Sequence, residues 1–293
     1  MDFSKLSGKI YFINKFINVK NAKIHVLNHS LHFASSIFEG IGVYEGNPLF
    51  LKEHLLRLKK SAHIMKLTMS HSVSELEKIS RELIKKNKIK NGYIRPIIFR
   101  SSHSMSPETK LCKSQIAIAA WTWGKLFNKP ALSLEISKYP KLNEKIYPIN
   151  AKSSGSYQTS VLTRADLEKT NFDDCLMLDL KGCIAETSAC NIFWVKKDVL
   201  YTPKEHSILN GITRRCIVRL CKINNIRLNV GDYKLKDLYA ADSAFMTGTA
   251  AEIQLIKCIR KNTFNKKSKI INFLKKEYEN IKKIGPNLIN DLG

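Results

Sequence analysis

A lysine among small residues is the first place in this chain where chemistry could reside. Lys152 stands in Ala151-Lys152-Ser153-Ser154-Gly155-Ser156-Tyr157, where short side chains let a bulky group approach Nζ. A lysine so placed can condense with a carbonyl when its amine is unprotonated. Taken alone it is one of 49 Lys and Arg, and its ordinary role is a solvated surface charge. Three further features share its interest. Glu186, in Cys183-Ile184-Ala185-Glu186-Thr187-Ser188, is a carboxylate at the edge of apolar strands. Asn210-Gly211-Ile212-Thr213 opens a helix, so unpaired backbone N–H groups and a hydroxyl converge there, as a phosphate requires. Thr247-Gly248-Thr249-Ala250-Ala251 is a strand-to-turn element that offers successive amides to an anion. Singly, these are an exposed acid, a helix cap and a tight turn.

Together they match what pyridoxal 5′-phosphate requires: an amine for its aldehyde, a carboxylate for its ring nitrogen and helix-terminal amides for its phosphate. The lysine would form the Schiff base and, once displaced by a substrate amine, shuttle a proton between Cα and C4′. Arg57 would meet the phosphate dianion; it lies one step off the apolar stripe of its helix. His25, His29 and His32 are spaced as if for a metal. However, Val26, Leu27 and Asn28 look like a strand running into a turn, and no acid lies among them, so no metal site is expected.

The elements that must hold these residues alternate in type. Lys9–Ile17 and Ala22–Leu27 look like strands. Leu51, Leu55, Leu58, Ala62 and Met65 form an amphipathic helical stripe. A second helix covers 74–87 with Ser74 as its cap. Strands are predicted at Tyr93–Arg100 and Gln115–Trp121, then at Leu132–Ser137, 174–179, 190–196, 199–201 and Ser243–Thr247. Helices are predicted at 156–169 and from Thr213 to Asn224. The segment 121–130 carries Gly124 and Pro130 and reads as a break. The expectation is an α+β chain with a small domain over 1–122, a linker over 123–131 and a larger cofactor-binding domain over 132–293.

Composition narrows the function classes. The 293 residues are 44% hydrophobic, enough for a sizeable core. No apolar run approaches the roughly 20 residues of a membrane span, and the N-terminus lacks a signal-peptide pattern. The net charge of +24 invites a nucleic-acid reading. Yet lysine is spread along the chain, with one enrichment at 257–283, where ten basic residues face Glu277 and Glu279. There Ile270, Leu274, Tyr278 and Ile281 repeat at helical spacing, which predicts a surface helix with a solvated basic face. The seven cysteines form no CxxC pair, as expected of reduced thiols in a cytoplasmic protein.

The motifs resemble the branched-chain amino acid aminotransferases, of the fold-type IV group of pyridoxal-phosphate enzymes. The similarity runs from about Ile10 to Ile259. It rests on His25-Val-Leu-Asn-His-Ser-Leu-His32, Ser36-Ile-Phe-Glu-Gly-Ile41, Glu53-His-Leu-Leu-Arg-Leu58, Tyr93-Ile-Arg-Pro96, the Lys152 segment, Glu186, Asn210-Gly-Ile-Thr-Arg214 and Thr247-Gly-Thr-Ala-Ala-Glu252. The resemblance implies a cofactor between the two domains, with Lys152 as the covalent lysine, Glu186 on the pyridine nitrogen and Tyr157 on the ring hydroxyl oxygen. It places Arg57, Ile212, Thr213 and Thr249 at the phosphate. Phe38, Tyr93 and Trp123 would wall an apolar side-chain pocket, and the Thr249 and Ala250 amides would take the α-carboxylate. Arg95 would receive the distal carboxylate of glutamate.

The implied reaction passes the amine of L-leucine, isoleucine or valine to 2-oxoglutarate in a homodimer or a trimer of dimers, with neither nucleic acid nor membrane as partner. Where relatives carry tyrosine hydroxyls beside the glutamate carboxylate, this chain has Phe33 and Leu126, with Phe127 adjoining the latter. Each missing hydroxyl would weaken that contact by about 1–3 kcal/mol. A D-amino acid aminotransferase or an aminodeoxychorismate lyase would use the same cofactor apparatus. A basic binding protein that has lost the chemistry is the reading of a different class.

Overall fold

The computed structural model describes residues 2–264 and 267–285. Lys266 of the basic run, Met1 and residues 286–293 lie outside them. The chain divides into two compact units: residues up to Gly124 together with Ala151–Gly155, and Lys125–Asn150 together with the residues from Ser156 onward.

The first unit opens with strands β1 (Lys9–Phe12) and β2 (Lys15–Asn18). The single strand expected over Lys9–Ile17 is thus a hairpin. Ile13 and Asn14 take φ of 47° and 68°, the paired positive values that a two-residue hairpin turn demands. The expected strand over Ala22–Leu27 does not form. Ile24, Val26 and Leu27 are exposed, and the Leu27 amide donates to His25 Nδ1 at 3.1 Å instead of to a neighbouring strand. A short helix α1 (His29–Phe33) follows, then β3 (Ile37–Phe38), β4 (Ile41–Tyr44), β5 (Asn47–Pro48), helices α2 (Leu51–Ile64) and α3 (Val73–Lys86), and the long strands β6 (Gly92–Arg100) and β7 (Ser114–Thr122).

Among the described residues this sheet runs β2-β1-β7-β6-β4-β5, with β3 also on β6. The helical stripe behaves as its spacing requires. Leu51, Leu55, Leu58 and Ala62 of α2 are buried with Leu76 and Leu83 of α3 against Ile94, Ile98 and Ile118 of the sheet. Ser72, not Ser74, caps α3. Its Oγ accepts from the Glu75 amide at 3.2 Å, while the Glu75 carboxylate takes the Ser72 amide at 2.7 Å, the reciprocal arrangement of a capping box.

The second unit contains β8 (Ala131–Ile136), α4 (Gln158–Leu167), β9 (Asp174–Leu178), β10 (Ile184–Thr187), β11 (Asn191–Lys196), β12 (Val199–Pro203), α5 (Ile212–Ile223), β13 (Leu228–Gly231), α6 (Leu235–Tyr239), β14 (Ser243–Gly248), β15 (Glu252–Ile259), β16 (Asn262–Thr263) and α7 (Lys269–Ile284). Strands β10-β9-β8-β15-β14-β11 follow one another in the sheet, and β10 also pairs with β11. These six strands therefore close into a barrel, which removes their exposed edges. The α+β class agrees with the sequence expectation.

The basic segment is shorter as a helix than its charge run. Residues 257–259 end β15, where Ile253, Ile256 and Ile259 are buried. Helix α7 buries Ile271, Leu274, Tyr278 and Ile281, so Ile271, not Ile270, faces inward. Lys282 is itself paired, with Glu252 at 2.8 Å and Glu279 at 2.7 Å. No described helix is long and apolar enough to cross a membrane.

Candidate functional site

The Lys152 segment clusters with the first unit because its backbone is stitched there. Ile37 and Ser153 form a β-bridge, the Phe38 amide donates to the Lys152 carbonyl at 3.0 Å, and the Ser154 amide donates to the Ser36 carbonyl at 2.9 Å. The Lys152 amide donates to Ser61 Oγ of α2 at 3.0 Å. Small side chains at 153–156 permit this close approach. The result seats Lys152 Nζ 5.0 Å from the centre of the Phe38 ring.

Next to it lies a buried charge cluster. Glu39 has a fully buried side chain. Arg57 donates from Nε to Glu39 Oε1 at 2.6 Å and from Nη2 to Oε2 at 2.9 Å, a two-point contact suited to a guanidinium. His54, three residues earlier on α2 and so on the same helix face, reaches Glu39 Oε2 through Nδ1 at 2.7 Å. Arg57 is therefore no surface arginine, as its side chain is only 11% exposed.

Burial pushes the Lys152 amine down, the Arg57 guanidinium pushes it further, and its pKa falls from 10.5 to about 8. Glu39 and Tyr93 oppose that shift, while Arg95 adds to it. At neutral pH a usable fraction of the amine is then an unprotonated nucleophile.

Aromatic rings line the neighbourhood. The Arg95 guanidinium lies 4.7 Å from the Phe38 ring centre and 5.5 Å from that of Tyr93. Tyr93 meets Trp123 edge-on at 4.8 Å and Trp121 at 5.5 Å. Glycine is required at position 40, because a Cβ there would come within 1.8 Å of the Tyr93 hydroxyl. Phe38, Arg57, Tyr93, Arg95, Trp123 and Lys152 thus belong to one neighbourhood of the first unit.

In the second unit Glu186 lies on β10 opposite Asn191 of β11. Its Oε2 accepts from Asn191 Nδ2 at 3.1 Å, and its Oε1 pairs with Lys141 Nζ at 2.7 Å, both side chains being buried. Asn191 also donates to the Leu209 carbonyl at 2.9 Å, which ties Glu186 to the loop before α5. A Cβ on Gly211 would approach Asn191 Oδ1 to 2.3 Å, so that loop takes glycine.

Gly211 caps α5 without a side-chain hydrogen bond to the first turn, and Ile212 and Thr213 are buried in that turn. Arg214 pins the same loop, donating to Glu205 Oε1 at 3.0 Å, Asn210 Oδ1 at 3.2 Å and the Pro203 carbonyl at 3.0 Å. The buried Tyr278 of α7 lies close to the Thr213 side chain. Tyr157 ends the turn before α4, its ring centre 5.8 Å from Lys141 Nζ. Thr249 and Ala250 occupy the half-buried turn between β14 and β15.

Residues 36–259 match the family model of amino-transferase class IV. The branched-chain-amino-acid aminotransferase of Pseudomonas aeruginosa is 34% identical over 288 residues, which span 95% of this chain and 94% of that protein. The chain belongs to the branched-chain-amino-acid aminotransferases. Among solved structures, a branched-chain aminotransferase from Thermoproteus uzoniensis with norvaline superposes with a TM-score of 0.92 at 30% identity, covering 97% of both chains. A branched-chain amino acid aminotransferase from T.th., complexed with N-(5′-phosphopyridoxyl)-L-glutamate, gives 0.89 at 30% identity, covering 94% of both.

Sequence reasoning about this aminotransferase missed Glu39, His54, Lys141, Asn191 and Trp121. Glu39 and His54 lie inside the two motifs quoted above, so a signal existed. Lys141 had none, being one lysine of many. Of the three histidines, His29 Nδ1 bonds Ser35 Oγ at 2.7 Å and His32 Nε2 bonds the Val26 carbonyl at 3.0 Å. Both are local turn contacts. Phe33 and Leu126 are partly exposed and bring no hydroxyl to their surroundings.

Proposed function

We propose that this aminotransferase carries pyridoxal 5′-phosphate and moves the amino group of L-leucine, isoleucine or valine to 2-oxoglutarate. The observation that carries the reading is the Lys152 amine, lowered to about 8 beside the Phe38 ring and within the influence of the Arg57–Glu39 pair.

The donor set fits the cofactor. Lys152 supplies the amine, and Glu186 supplies a carboxylate for a ring N–H. The uncapped first turn of α5 supplies amides for a phosphate, with Arg57, Thr213 and Thr249 as further donors and Tyr157 as partner of the ring oxygen. When bound, the cofactor supplies the electron sink that lets a proton leave the amino acid's Cα. Lys152 takes and returns that proton through Nζ. Glu186 holds the ring nitrogen's proton, and Arg57 fixes the phosphate end.

Phe38, Tyr93 and Trp123 favour an aliphatic side chain, and the Thr249 and Ala250 amides hold the α-carboxylate. Arg95 adds a cation among the aromatic rings for the distal carboxylate of glutamate. Support for both substrates comes from relatives that bind norvaline and a phosphopyridoxyl-glutamate. We place the working form as a homodimer or a trimer of dimers. The seven free cysteines, most of them buried, are in keeping with a reducing cytoplasm.

The test is the visible spectrum of the cofactor-loaded protein during addition of L-leucine or, in parallel, D-alanine. Conversion to the amine form of the cofactor by L-leucine alone is expected. Conversion by D-alanine alone would move the activity to a D-amino acid aminotransferase. A second expectation concerns Arg95. Arg95→Met should raise KM for 2-oxoglutarate about 10- to 100-fold, the scale of a lost charged hydrogen bond. Its half-reaction with L-leucine should change by less than about threefold, as steady-state and single-turnover rates would show.

A further inference from the structure

The proposed function gives no part to the buried cation Lys141, whose Nζ lies 2.7 Å from Glu186 Oε1. It enters from a loop pinned by its own amide, which donates to the Leu178 carbonyl of β9 at 2.8 Å. Burial pushes its ammonium down, but the Glu186 carboxylate more than reverses this and the group ends above its ordinary value. Lys141 is therefore charged, and it faces Glu186, Tyr157 and Cys175. Stability alone accounts poorly for such a pair, since an apolar pair of similar volume would do as well or better.

We infer that Lys141 is a positioning residue that charge-balances and aims Glu186, so that the carboxylate can hold a proton on the pyridine nitrogen of the cofactor. The inference rests on the reading that Glu186 serves that nitrogen. A carboxylate has about four acceptor sites. Lys141 takes one on Oε1 and Asn191 one on Oε2, which fixes the plane of the group and leaves acceptor capacity for a third donor. Without Lys141 the carboxylate would keep only Asn191 as a hydrogen-bond partner, with the buried Arg214 guanidinium acting on it through space. Removing the contact cation from a buried anion favours the neutral acid. A neutral carboxyl donates where it should accept, and the ring nitrogen would lose its partner. The same ammonium lies near the Tyr157 ring, so the two groups meant for the ring nitrogen and the ring oxygen share one cation.

The experiment loads wild type, Lys141→Met and Lys141→Arg with ring-15N pyridoxal phosphate and records the nitrogen resonance, together with cofactor affinity and the single-turnover rate with L-leucine. Wild type and Lys141→Arg should show a protonated ring nitrogen. In Lys141→Met the resonance should move to the unprotonated range, and the turnover should slow at least about tenfold, the equivalent of one pKa unit. A protonated resonance at the wild-type position in Lys141→Met overturns the role of Lys141 and leaves the cofactor reading standing. Should the methionine variant not fold, Lys141→Gln decides. It keeps a donor but no charge, so an unprotonated nitrogen supports the inference and a protonated one overturns it. Wild type that yields no bound-cofactor resonance overturns the cofactor reading, and the inference with it.

Discussion

Replacing Lys152 with alanine is expected to lower amino transfer from L-leucine by roughly 10⁶-fold, the scale on which removal of an enzyme's nucleophile acts. No other lysine lies inside the small-residue segment stitched to Ile37 and Phe38. Arginine should be as inactive as alanine, because a guanidinium does not deprotonate in proteins. The loss should not be a loss of folding. Burial first, and then the repulsion of Arg57 and Arg95, takes the Lys152 pKa from 10.5 to about 8. The folded state therefore binds this proton more weakly than the unfolded chain does. That penalty on wild-type stability vanishes above about pH 10.5 and is present in full below about pH 8. Lys152→Ala should thus melt no lower than wild type at neutral pH, as a thermal scan would show. In wild type, capture of the cofactor aldehyde by the apoprotein should rise with pH through a midpoint near 8. A midpoint near 10 would mean the amine is not perturbed as the structure has it.

Legibility in the sequence followed the range of the interaction. The α2 stripe was readable because a helix face repeats locally, and β6 and β7 because their apolar runs are bounded by turn residues. The Lys152 segment stood out for a local reason too, since its flanks are small in a chain rich in long side chains. Contacts across sheets left no such trace. Lys141 and Glu186 meet because β9 and β10 pair, and nothing around Lys141 announces a buried cation. The alternation of Ala22–Leu27 resembles a strand, yet a strand needs a neighbouring edge to receive its amides, and among the described residues none pairs with this segment. Strand β15 was hidden by the opposite effect. Lys257 and Arg260 merge into the basic run, while the burial of Ile253, Ile256 and Ile259 is set by β14 and β8. The candidate residues that the resemblance named could each be placed within one unit or the other. The charged groups that hold them, Glu39, His54 and Lys141, required the fold.

Replacing Glu39 with glutamine is expected to destabilise the protein by about 3–5 kcal/mol, the cost of removing one partner from a buried ion pair. The carboxylate is fully buried and accepts from Arg57 twice and from His54 once. Glutamine offers one acceptor and two donors, so part of the guanidinium would face an amide N–H with no water to replace the lost charge. Because roughly 1 kcal/mol shifts Tm by several degrees in a domain of this size, the melting transition should fall by about 10–20 °C. The pH dependence separates charge from shape. Burial pushes the Glu39 carboxyl up, but Arg57 and His54 more than reverse it and hold it well below its ordinary 4.5. A carboxylate depressed in this way stabilises the fold in full above its unfolded value and loses that contribution as pH falls toward the folded one. The gap in Tm between wild type and Glu39→Gln should therefore be widest near neutrality and should narrow steadily below about pH 4.5. A gap of the same size at pH 7 and pH 3 would assign the loss to packing. The same substitution releases Arg57 from its two-point hold. Cofactor affinity should then fall together with stability in this variant, whereas Lys152→Ala loses the reaction while the Arg57–Glu39 contact persists.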